Sequence, residues 1–130
     1  MSIELTMLVY TVALLVVVVL IQAATGVLAQ GLATMAGSRD NLGEPSVFQA
    51  RMGRVVDNHR EGLLMFAPLV LIAHAIEVSS SLTVLATQIY FYSRVAHALL
   101  YIAGVPWIRP VAFAAGLLGL AMLFFELLTT

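Results

Sequence analysis

The sequence predicts an all-α integral membrane protein, a single-domain four-helix bundle over residues 1–130. Three observations carry that prediction. The chain is 62% hydrophobic and only 10% charged, more apolar surface than a domain of 130 residues can hide from water. The apolar residues fall into four long segments separated by turn formers. Two of those segments interrupt their apolar character with polar side chains spaced three and four apart, the period of one helical face.

The first segment runs apolar from Ile3 to Met35. It predicts a helix over 3–36, longer than the roughly 20 residues a bilayer requires, so it should tilt or project. Its start, Met1-Ser2-Ile3-Glu4, is acidic where a signal sequence is basic. The stretch Gly37-Ser38-Arg39-Asp40-Asn41-Leu42-Gly43-Glu44-Pro45 reads as the longest loop. The second helix is expected over 46–77, with Pro68 kinking it. Ser79-Ser80-Ser81 marks a short turn, and the third helix follows over 82–103. Gly104-Val105-Pro106 ends it, and the fourth helix spans 110–128. Ala112, Ala115, Gly116 and Gly119 form a small-residue side on that last helix, suited to close helix packing.

Charge placement suggests an orientation. Arg39, Arg51 and Arg54 lie around the first loop and Arg109 in the third, whereas the second loop and the termini carry only Glu4, Glu77 and Glu126. Positive residues favour the cytoplasmic side, which predicts a multi-pass inner-membrane protein with both termini outside the cytoplasm. The net charge of −1 offers no field to recruit nucleic acid. There is no cysteine, which excludes a disulfide framework and a protein thiol nucleophile. His74 and Glu77 stand three apart, a metal-compatible spacing, but one such pair is too few for a bundle metal site, and no metal is expected.

The polar stripes are the candidate site. Arg51, Arg54, Asn58, Glu61 and Met65 share one face of the second helix, with Asp57 at its border. Tyr90, Arg94, His97 and Tyr101 share one face of the third. A charge at mid-bilayer costs at least about 2.5–3.5 kcal/mol, so these faces must meet each other, a partner subunit or a wet cavity. Two readings are open. One is a structural ion-pair network, with Arg54 joined to Glu61 or Asp57 and Arg94 to either acid. The other is a ligand site. Arg51 and Arg60 read as interfacial arginines, and His59 as a surface histidine near the membrane face.

The second-helix pattern Arg54-Val-Val-Asp-Asn58-His-Arg-Glu61, with Phe66-Ala-Pro68 after it, resembles the MAPEG superfamily of eicosanoid and glutathione metabolism. Arg94-Val-Ala-His97-Ala-Leu-Leu-Tyr101 is similar to the third helix of its prostaglandin E synthase branch. The turn Gly104-Val-Pro-Trp-Ile-Arg109 is similar to one in bacterial-type members. The resemblance implies a homotrimer with a glutathione site between subunits near the cytoplasmic side. It implies that Arg54, Asn58, Glu61, Arg94, His97 and Tyr101 bind glutathione and that Arg109 stabilises its thiolate. A lipophilic electrophile would then enter from the lipid bilayer, for conjugation to glutathione or a similar small thiol, or for hydroperoxide reduction. Two positions depart from glutathione-using relatives. Ala29 stands where they carry an arginine late in the first helix, and Asp57 places an acid before the motif asparagine. Those departures keep a non-catalytic lipid-binding or membrane-protein-binding member as the alternative.

Overall fold

A computed structural model describes the whole chain, Met1–Thr130. It contains five helices and no strand: α1 (Ile3–Gln30), α2 (Leu32–Ala36), α3 (Val47–Ala75), α4 (Ser81–Ala103) and α5 (Arg109–Leu128). The four long helices pack side by side. α1 lies against α3 and α4, while α3, α4 and α5 all touch one another. α1 and α5 are each long and apolar enough to cross a membrane, yet only 17% of the most apolar stretch of α1 and 28% of that of α5 are buried. Apolar surface turned outward on this scale needs hydrocarbon around it rather than water.

Local chemistry sets the ends. Ser2 caps α1 by accepting from the Leu5 amide at 3.2 Å, and Ser46 caps α3 through the Gln49 amide at 3.0 Å. Ser80 and Thr83 cap α4 reciprocally, each side chain bonding the other's backbone N–H. Gly104 ends α4 in the left-handed region at φ +77°. α3 runs unbroken through Pro68.

The expected first helix over 3–36 is divided. Gly31 adopts φ +87° and interrupts the hydrogen-bond ladder, so α2 turns back on α1. The Met35 methyl then packs 2.8 Å from where a Gly26 Cβ would stand. In one straight helix those residues would be roughly 13 Å apart along the axis. The Gln30 side chain holds the following loop, accepting from the Gly43 amide at 3.0 Å and donating to the Gly43 and Glu44 carbonyls.

Two apolar clusters sit between the helices. One, toward the amino-terminal end of α1, joins Met7, Phe66, Leu69, Val70, Ala86, Tyr90, Leu120 and Leu123. The other joins Val18, Met52, Val55, Val56 and Ala98. Glu4, 4% exposed, tethers the chain start to the α3–α4 turn, accepting from the hydroxyls of Ser79 at 2.7 Å and Thr83 at 2.6 Å. At the other end the Arg51 guanidinium lies against Gly104. The first and third loops, with their arginines, therefore share one end of the molecule.

Candidate functional site

The two polar stripes meet along the α3–α4 junction, with α5 as the third wall. Moving inward from the arginine-rich end, the first level is built on Tyr101. Its hydroxyl accepts from Arg54 Nε at 2.7 Å. The Arg54 guanidinium carbon lies 5.7 Å from the ring centroid and that of Arg109 lies 4.6 Å from it. One aromatic ring thus gathers two cations from different helices. Arg109 reaches this position because α5 starts there directly after the Gly104 turn.

The second level is Asn58, Arg94 and His97. The Arg94 Nη2 donates to Asn58 Oδ1 and lies 3.4 Å from His97 Nδ1. Arg94 is 4% exposed and His97 5%. Behind them His59 packs with its ring centroid 6.3 Å from that of His97. The third level is a cavity of about 80 Å³ whose lining includes Asn58, Glu61, Gly62, Tyr90 and Arg94. Its apolar side is formed by Met65 from α3 and by Phe113 and Leu117 from α5.

The structure brings Arg54, Asn58, Arg94, His97, Tyr101 and Arg109 into one seam. Glu61 lies at the cavity rim, exposed, outside ion-pair range of every arginine. The ion-pair network expected as one reading is not formed within the protomer. The one salt bridge joins Asp57 to Arg60 at 2.8 Å, both on the exposed side of α3. Arg54 and Arg60 both stand three residues from Asp57 on α3, but Arg54 is held by Tyr101, and Asp57 pairs with Arg60. Three guanidinium groups in the seam therefore have no carboxylate partner.

His59 requires a correction. It is 2% exposed, with Nε2 lacking any hydrogen-bond partner, and is not a surface residue. It lies one position beyond Asn58, which rotates it off the open stripe and into the helix interface. Gly62, Phe113 and Leu117 also line the site, although none belongs to the two polar stripes. Gly62 was detectable only as a small residue beside Glu61; Phe113 and Leu117 carry no sign distinguishing them from other lipid-facing residues of α5. Arg51 reaches the Gly104 turn and is partly buried there, rather than free at an interface. His74 and Glu77 are both exposed, beside a separate cavity at the opposite end of the molecule.

Two long apolar helices turned outward, beside a seam of three arginines without a carboxylate partner, define the class: a membrane protein with a cationic stripe between its helices. The chain belongs to the MAPEG family, which it matches over residues 7–129. No curated protein matches the chain, and no solved structure does.

Proposed function

We propose that the chain is a membrane-bound glutathione transferase, with capacity for hydroperoxide reduction, acting on lipophilic electrophiles. The observation that carries this reading is the set of three arginines, Arg54, Arg94 and Arg109, grouped in the seam of a MAPEG-family membrane protein with no carboxylate paired to any of them. Like charges confined in a medium of low dielectric repel, and an anion placed among them relieves that cost. Glutathione carries two carboxylates and an ionisable thiol, so it supplies such an anion. Its amine matches Glu61, the one acid at the rim of the seam.

Arg54 and Arg94 would hold the carboxylates and Asn58, His97 and Tyr101 would fix the peptide between them. Arg109 would stand beside the thiol. A guanidinium stays protonated at every working pH, and a cation beside a thiol favours the thiolate, the nucleophilic form. The thiolate would form its carbon–sulfur bond as the electrophile's leaving group departs with the bonding pair. Phe113 and Leu117 offer the electrophile an entry from the hydrocarbon side.

The seam opens on an outer face of the protomer, and exposed Arg54 and Glu61 are costly against lipid. That supports a homotrimer in which a neighbouring copy covers the face. Clustering of the arginines at one end of the molecule supports a cytoplasmic placement for that end, with both termini outside in an inner-membrane setting. A reporter fused at Thr130 tests the orientation; cytoplasmic activity reverses it. Isothermal titration of the purified protein with glutathione tests the function. Heat and thermal stabilisation at millimolar thiol are expected, and their absence overturns the reading.

The second reading, a non-catalytic member that binds lipid or another membrane protein, has one observation in its favour. Ala29 is exposed on α1 and contributes no cation. A lipid copurifying with the protein, together with thiol assays that do not change in Arg109→Ala, would select it.

A further inference from the structure

Deep in the seam, two hydrogen-bond donors face no acceptor in the protomer. The Tyr90 hydroxyl and Arg94 Nε are both buried without a partner, one turn apart on α4. Tyr90 is 1% exposed. It is held in place by Phe66, whose ring stacks on it with centroids 4.0 Å apart and planes at 15°. Gly62 faces it from α3, and a Cβ at that position would run into the phenol oxygen. Other hydroxyls on α4 have acceptors within the protomer: Thr87 and Ser93 each donate to a carbonyl of their own helix, and Thr83 donates to Glu4. A tyrosine hydroxyl cannot reach back in that way. For packing alone phenylalanine would serve as well, without the cost of burying a phenol group. Gly62 and Tyr90 together therefore build a donor that takes its acceptor from outside the protomer.

Tyr90 and Arg94 both line the cavity of about 80 Å³. One side of that cavity is polar, whereas Met65, Phe113 and Leu117 on the other are apolar and exposed. The chemical complement is an apolar chain bearing an acceptor oxygen. Glu61 at the rim disfavours a second carboxylate, so the oxygen is neutral. We infer that this cavity binds the chain of a lipophilic ligand carrying a carbonyl or hydroxyl oxygen, and that Tyr90 is the specificity-determining residue that donates to it.

The oxygen is remote from the reacting end. Gly62 lies eight residues beyond Arg54 on α3, roughly 12 Å along the helix axis. Arg54, Tyr101 and Arg109 hold the polar end of the site, and Tyr90 reads a mid-chain oxygen. This inference rests on the seam being a lipophilic ligand's site, a premise shared with the transferase reading.

The test uses the full chain in lipid nanodiscs and an unreactive long-chain ketone with an isotope-labelled mid-chain carbonyl. Infrared difference spectra should show the carbonyl stretch at lower frequency with the native protein than in protein-free nanodiscs. Tyr90→Phe should abolish that shift and weaken ketone binding about tenfold, the value of one buried hydrogen bond. Gly62→Ala, which displaces the hydroxyl, should act in the same direction. With glutathione present, the preference for a keto-chain alkyl iodide over its hydrocarbon counterpart should fall about tenfold in Tyr90→Phe, through KM rather than kcat. No carbonyl shift with the native protein, or a shift retained in Tyr90→Phe, overturns the inference and leaves water or a neighbouring copy as Tyr90's acceptor. A glutathione titration without heat beside a Tyr90-dependent carbonyl shift sinks the transferase reading and leaves this inference standing.

Discussion

Replacing Gly119 by alanine should loosen the wall that positions Tyr90, and the neighbouring Gly116 provides the control. A Cβ at Gly119 would stand 2.8 Å from the Ala86 carbonyl oxygen and 3.1 Å from the Tyr90 amide nitrogen, both backbone atoms of α4. Ordinary contact begins at 3.4 Å, so α4 and α5 must separate by about 0.6 Å at that level. Overpacking of this kind costs about 1–3 kcal/mol. At Gly116 the nearest atom is the Ser93 hydroxyl oxygen at 3.0 Å, the end of a side chain that can rotate. Both substitutions gain about 1 kcal/mol of helix propensity, and that gain cancels when the two variants are compared. Gly119→Ala should therefore be about 1–3 kcal/mol less stable than Gly116→Ala. Reversible unfolding in mixed detergent micelles measures the difference. Equal stability, or a more stable Gly119→Ala, would refute the close-approach argument for the α4–α5 interface.

Other substitutions probe the seam and the tether. Arg94→Met should keep or raise the unfolding midpoint, because it removes a buried cation without a carboxylate partner; the heat of glutathione binding should vanish in the same variant. A midpoint well below that of the native protein would contradict the charge assignment. Tyr101→Phe removes the acceptor of Arg54 while leaving the ring over Arg109. Loss of about 1 kcal/mol of positioning should weaken glutathione about fivefold by titration, and an unchanged Kd would separate Tyr101 from the site. Glu4→Ala strips Ser79 and Thr83 of a shared charged acceptor and should cost about 2 kcal/mol. Amide exchange should then rise at the start of α1 and in the α3–α4 turn, and protection at native levels would show that the tether contributes little.

Much of the architecture was legible along the chain, because bilayer length and helical period act within a segment. Apolar runs of the right length mark the long helices, and Ser46, Ser80 and Gly104 mark ends that the structure uses as caps. Arg54, Asn58, Arg94, His97 and Tyr101 fall on common faces by spacing alone. What spacing cannot supply is the identity of the neighbour across an interface. Asp57 and Arg54 share a border by period, yet Asp57 bonds Arg60 and Arg54 bonds Tyr101 from another helix. The division at Gly31 was hidden for a related reason. Glycine permits a positive φ without requiring one, and the packing of Met35 on Gly26 accompanies the turn.

The sequence by itself determined that this chain is helical, apolar and striped with cations and aromatics, because those properties depend on composition and on the period of a single helix. Only the tertiary structure decided that the seam arginines lack carboxylate partners, that His59 is buried, and that Gly62 opens a place for the Tyr90 hydroxyl. Each depends on the rotation and spacing of helices distant in sequence, and those are set by side-chain packing between helices rather than within one.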